Sequence, residues 1–270
     1  MSKIDTISPP TRFTGLHCHS SFSTFDGLGY PKDHINFVTS EEQGMDSWAL
    51  TDHGNGSGLA HARSHAVKVQ KLGKKYRQLY GVEFYFVPSL EDWRASYEAH
   101  RQSVKDAKSS KKAKELATSP TVIAPPDESD EQGGHVIEDE EETKKSKSSK
   151  PEWKRYYHLV VIAKNQVGLG NLFTLVKKSF KDGFYRFPRI DFKLLKEHGE
   201  GLVVSTACVG GLASGMIYRE FPDLRFDQLD PSLLSGPQAE AAVKNIYGRL
   251  ENMVDRFVAV SYTHLRAHET

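Results

Sequence analysis

The chain has only two cysteines, Cys18 and Cys208, far apart in sequence. That excludes a disulfide framework and fits a reducing compartment. No apolar run approaches the ~20 residues needed to cross a bilayer. The start, MSKIDTISPPTR, lacks the order of a secretory signal. No membrane association is expected, and the expected location is cytoplasmic. Charge is balanced, with 36 Lys and Arg against 35 Asp and Glu. Such a total neither requires nor excludes a nucleic-acid partner, because a local basic groove can sit inside it. Hydrophobic residues make up 38% of the 270, and the shortage is local. Residues 98–152 run from a Lys/Ser/Ala stretch through Pro125 and Pro126 into an acidic block and then a basic one. This segment buries too little apolar surface to offset its ordering entropy and is expected to be a disordered insertion.

On either side, β-like runs alternate with helical patterns. Residues 12–18, 47–51, 79–87, 156–163 and 202–206 read as strands. Residues 31–43 read as a helix opened by Pro31 and stopped by Gly44. A second helix is expected after a Ser57 cap, with Leu59, Ala62, Ala66, Val69 and Leu72 on one face. A third spans 169–180, and Asp191 caps a fourth. Val243, Ile246, Tyr247, Leu250 and Val254 mark the apolar face of a last one. This alternation predicts an α/β fold on a parallel sheet, open or closed into a barrel.

Seven possible metal donors punctuate the alternation: His17, His19, Asp26, His53, Glu83, His158 and Cys208. Imidazole, carboxylate and thiolate together favour zinc or a related first-row ion, and seven donors are too many for one. The pattern is that of a multinuclear site for phosphate-ester cleavage. His17 and His19 are two apart and share a strand face. Asp26, His53 and Cys208 follow strands, as expected at the C-terminal mouth of a barrel. Glu83 and His158 fall inside or near the start of theirs and fit that mouth less well. A carboxylate flanked by Val82 and Phe84 needs a partner, since burying it alone is costly.

The strings LHCHSSFSTFDG, ALTDHGNGSG, GVEFYF, YHLVVIAKN, GFYRFPRID and EGLVVSTACVGG resemble the N-terminal PHP (polymerase and histidinol phosphatase) domain of bacterial and phage DNA polymerase III alpha subunits. The resemblance covers about residues 12–88 and 153–258, and TDHGN with FYRFPRID is its most discriminating pair. It implies a distorted, TIM-like β/α barrel of the PHP type, in two parts (1–97 and 153–258) around the insertion. It also implies that the seven donors hold two or three divalent ions, zinc or manganese, and carry catalysis through them. The family site uses nine ligands; the other two, an Asp-x-His pair on a later strand, are expected beyond this chain, leaving the barrel incomplete. The implied activity is metal-dependent phosphoester hydrolysis, with 3′–5′ exonuclease action on a DNA primer terminus. The implied partners are the remaining polymerase domains and replisome subunits of a DNA-directed DNA polymerase. A metal-stabilised structural module and a stand-alone phosphomonoesterase resembling histidinol phosphatase are the alternatives. Lys181, Arg186 and Arg189, in or beside FYRFPRID, are candidate DNA-backbone contacts. The ending SYTHLRAHET reads as translated sequencing adapter. Residues 259–270 are therefore expected to be a non-native tail, and His264 and His268 are set aside.

Overall fold

The structure is a computed structural model that describes residues 13–118, 154–215 and 236–265. The helices are α1 (Pro31–Val38), α2 (Ser57–Lys71), α3 (Leu90–Thr118), α4 (Gln166–Asp182), α5 (Phe192–His198) and α6 (Pro237–Leu265). The strands are β1 (Ser47–Leu50), β2 (Arg77–Phe86), β3 (Tyr157–Ala163), β4 (Phe184–Tyr185), β5 (Phe187–Ile190) and β6 (Leu202–Ser205). The chain divides into two units, residues 1–90 with 156–270, and residues 91–155. In the second unit the described part is helical, with Trp93 stacked on Tyr97 and Arg101 over the Tyr97 ring.

β2 organises the first unit. Its alternation sends Val82, Phe84 and Phe86 into the core while Glu83 and Tyr85 take the other face. One edge of β2 pairs in parallel with β1, from Ser47↔Arg77 to Leu50↔Tyr80, and further along with β5 at Tyr85↔Arg189. The other edge pairs antiparallel with β3, at Glu83↔Val160 and Tyr85↔His158. β3 in turn pairs antiparallel with β6, and β4 with β5. Leu159 and Val161 of β3 and Leu172 and Leu175 of α4 are fully buried. α6 meets α5 where Arg256 sits 3.7 Å from the Phe192 ring centroid.

Several expectations are corrected. Among the described residues the sheet is mixed and open, not a closed parallel barrel, because β3 runs against both its neighbours. That reversal removes the difficulty with His158. The start of β3 lies at the end of the sheet where β1, β2, β5 and β6 finish. The expected first strand is an extended segment joined to β1 by a single bridge, Gly15↔Trp48; Arg12 lies outside the described residues. α1 ends at Val38, where the Thr39 hydroxyl donates to the Ile35 carbonyl. Ser57 does not cap α2; it is the first helical residue, and its amide donates to the Asn55 side chain. On α6, Ile246 and Met253 are buried, whereas Val243, Tyr247 and Val254 are exposed. Residues 98–118, expected to be disordered, continue α3; the local Ala, Lys, Glu and Gln content favours a helix even without a core to pack on. The rest of the insertion, residues 119–152, lies outside the described residues, as do residues 266–270 of the expected tail, while residues 259–265 belong to α6.

The expected cap on α5 is present and does more than cap. Asp191 accepts from the Leu194 amide at 2.9 Å and, with its other oxygen, from the buried Leu90 amide at 2.9 Å. Asp191→Ala removes both acceptors and strands a buried N–H, so it is expected to destabilise the chain by about 2 kcal/mol in urea denaturation. Asp191→Asn, which keeps one acceptor oxygen, is expected to cost less.

Candidate metal centre

Glu83 stands at the middle of β2, 1% exposed, with imidazoles around its carboxylate. His17 Nε2 and His19 Nε2 each lie 3.0 Å from Oε2, and His53 Nδ1 lies 3.2 Å from it. His158 Nδ1 lies 3.0 Å from Oε1. Asp26 Oδ2 sits 2.8 Å from His53 Nε2. Cys208 Sγ is 3.5 Å from His158 Nδ1 and 3.8 Å from Glu83 Oε1. All seven sequence-predicted donors therefore meet in one place. Six of them form three overlapping triads, His17–His19–Glu83, His19–Asp26–His53 and His53–Glu83–His158, with the donor atoms of each triad within 4.8 Å of one another. Asp26 and Cys208 mark the solvent side. Cys18 turns away, its thiol against Trp48, and burial raises its pKa.

Local geometry explains how distant donors converge. β1 stops short, so His53 falls beside Glu83 in a parallel bridge. The turn after His19 folds back through the Asp26 and Gly27 amides, which donate to the Ser23 carbonyl. A Cβ on Gly27 would strike the Ser20 backbone, so only glycine fits there. Gly54 of TDHGNG has φ +63, and a Cβ there would come 2.8 Å from Pro188 Cγ. Beyond β6 the chain turns at Ala207 and brings Cys208 beside His158.

The sequence reading missed Ser20, Ser23 and Asp52, all buried beneath the donors. Asp52 accepts from the Ser20 amide at 2.7 Å, from the Ser20 hydroxyl and from the Ser23 hydroxyl at 2.8 Å. Ser23 Oγ also accepts from the His53 amide at 3.0 Å and lies 3.2 Å from His19 Nδ1. A serine has one proton to give, and this one goes to Asp52, so His19 Nδ1 is the donor to Ser23. In the neutral ring Nε2 is then a bare lone pair, aimed at Glu83 Oε2 and, at 3.1 Å, at His17 Nε2. The adjacent SSFS and TDH strings carried this signal, since a hydroxyl and a carboxylate beside two ligands are the usual orienting groups.

The donor set fits divalent ions. Glu83 Oε2 and His53 Nδ1 are buried and, among the described residues, make no aligned hydrogen bond despite their short contacts. Acceptors and lone pairs aimed at one another need a cation between them. In its absence a proton is the substitute. Burial opposes charge on His19, but the Glu83 contact and the charges of Glu83, Asp26 and Asp52 outweigh it and raise the ring's pKa. For His53 burial wins, and its pKa falls despite Glu83 and Asp26. Burial alone would raise the Glu83 carboxyl, yet His158, His17, His19 and the charge of His53 hold it far below the usual range.

Of the three proposed DNA contacts, Lys181 and Arg186 are exposed. Arg189 is not available to a DNA backbone. It is 2% exposed, and its Nη1 donates to the Tyr185 and Phe187 carbonyls at 2.7 and 2.9 Å. Burial lowers its pKa to about 10.

Two predictions follow from this geometry. A carboxyl whose folded pKa lies below its unfolded value of about 4.3 adds stability above that pH and loses it as the pH falls. In chelator, the stability advantage of wild type over Glu83→Gln should therefore shrink as the pH falls below about 5. A gap that widens instead contradicts the assignment. Asp52→Ala should cost roughly 3 kcal/mol in denaturation, by stranding buried donors, and weaken metal binding about tenfold or more in competition with a chelating dye.

Comparison with known proteins gives the family. The PHP domain family matches residues 15–255. DNA polymerase III subunit alpha of Borreliella burgdorferi is 31% identical over 209 residues, 77% of this chain and 13% of the relative. The Treponema pallidum protein of that name is 27% identical over 201 residues, 74% of this chain and 12% of the relative. That of Campylobacter jejuni is 29% identical over 201 residues, with the same two shares, 74% and 12%. The chain thus spans about an eighth of the length of these relatives. By the family match and the donor cluster it encloses, this chain belongs to the PHP domain family.

Proposed function

We propose that the chain is a metal-dependent phosphoesterase domain acting as a 3′–5′ exonuclease on DNA, within a replicative DNA polymerase. The observation that carries this reading is the convergence of seven donors in one cluster centred on the buried Glu83 carboxylate, with a solvent-facing side at Asp26 and Cys208. The similarity to DNA polymerase III alpha subunits supports the nucleic-acid substrate. His17, His19, His53, His158 and Cys208 would hold two or three zinc or manganese ions, with Asp26 and Glu83 offsetting their charge. Such ions supply Lewis acidity toward a phosphodiester and activate water.

The chain's own groups do the rest. Ser23 and Asp52 fix the His19 ring so that Nε2 faces the cluster. Glu83, sealed from solvent, keeps four imidazoles in register. Asp26, half exposed, would help hold a metal ion at the rim of the cluster, its Oδ2 lying 2.8 Å from His53 Nε2. Lys181 and Arg186, both exposed, would contact the DNA backbone. Partner polymerase domains, replisome subunits and a cytoplasmic setting belong to the same proposal; among the described residues no helix is long and apolar enough to cross a membrane.

One observation favours a second reading, a metal-held structural module. The donors come from separate segments, so ions here would tie the first unit together. Asp26→Ala separates the two, because the residue lies at the exposed rim. In the Mn²⁺- or Zn²⁺-loaded chain it should cost under about 1 kcal/mol of stability. It should lower nucleotide release from a 3′-labelled oligonucleotide by about a hundredfold. Unfolding on chelation with no nuclease activity when loaded would establish the structural module. Cleavage of histidinol phosphate but not DNA would establish a phosphomonoesterase.

A further inference from the structure

The donor cluster continues into a wall of aromatic rings that the metal chemistry does not use. Tyr85 stands two residues beyond Glu83 on the same face of β2, and Tyr156 two residues before His158. The Tyr85 ring stacks on His53 at 5.8 Å and meets His158 edge-on at 5.7 Å. Phe187 of β5 lies 4.6 Å from Tyr85 and 5.2 Å from Tyr156, centroid to centroid. Tyr156 lies parallel to the His158 ring at 6.0 Å.

These rings are not core. Phe84 and Phe86, on the opposite face of the same strand, are fully buried, whereas Tyr85, Tyr156 and Phe187 are each only half-buried. The wall is also held still. Arg189 lies beneath it, with its Nη1 on the Tyr185 and Phe187 carbonyls and its guanidinium carbon 5.8 Å from the Tyr156 ring centroid. The missing side chain of Gly54 lets Pro188 and Tyr85 close onto the His53 turn. A rigid, partly exposed aromatic surface one ring away from phosphate-binding donors is the arrangement that single-stranded nucleic acid uses for sequence-tolerant stacking.

We infer that Tyr85, Tyr156 and Phe187 form a stacking platform for the nucleobase next to the phosphate held at the donor cluster. The platform selects a single-stranded 3′ end by its base face and reads no base edge. It rests on the nucleic-acid reading above.

The test uses the full chain loaded with Mn²⁺ and two 5′-fluorescent oligothymidylates, each with a hydrolysis-resistant phosphorothioate at the terminal linkage. One carries an intact 3′ nucleotide and the other an abasic 3′ residue. By fluorescence anisotropy, wild type should bind the intact end roughly tenfold tighter. Phe187→Leu and Tyr156→Leu, which keep apolar volume without a ring face, should reduce that preference to about twofold and leave the abasic probe unchanged. Equal binding of the two probes by wild type overturns the inference, as does no binding of either or equal weakening of both in the variants. The wild-type comparison stands even if a variant fails to fold. Hydrolysis of the matching phosphodiester probes, followed in parallel, separates the two proposals. Preference in binding without nucleotide release ends the exonuclease reading alone, and release without preference ends the platform alone.

Discussion

A carboxylate sealed inside a protein is tolerable only if something answers its charge, and the arrangement around Glu83 meets that requirement. Val82 and Phe84 carry its strand through the core, so the side chain cannot turn to water. Four imidazoles close on it instead, from the segment before β1, the turn after β1 and the start of β3. Among the described residues Glu83 Oε2 and His53 Nδ1 still lack an aligned hydrogen bond, which is poor compensation for a buried charge. Divalent ions would resolve the conflict, which makes this electrostatic demand and the proposed chemistry the same feature.

The direction of one strand decides whether that demand can be met. With β3 parallel to β2, His158 would sit at the far end of the sheet from the turns that carry His53 and Cys208. Antiparallel pairing opposes His158 to Tyr85, two residue pairs beyond the Glu83 level. β6 then returns parallel to β2 and delivers Cys208 to the same end. The segment between β2 and β3 carries α3. Lengthening such a connection costs little closure entropy, so the strand order can accommodate a long insertion.

Two strings that discriminate the polymerase-type domain in sequence, TDHGN and FYRFPRID, are in contact in the fold. Gly54 of the first admits Pro188 of the second, and Tyr85 lies between them. Arg189, expected on a DNA-facing surface, is the internal strut of that junction. A charged residue in a basic-aromatic string reads as a ligand contact, yet alternation in a short strand sends every second side chain inward.

The sequence by itself determined the chemistry of the donors and much of the local structure. The seven donor types, the Pro31 helix start, the Asp191 cap and the apolar alternation of β2 each follow from single residues or short periods. The Ser20, Ser23 and Asp52 network was written there too, but only the folded geometry gave each hydroxyl its partner. Tertiary structure alone decided that the sheet is mixed and open, that Arg189 is internal, and that α6 buries Ile246 and Met253 while exposing Val243 and Tyr247. Period and propensity act over a few neighbouring residues. Strand direction, and the choice of which side chains meet, are set by contacts between residues far apart in the chain.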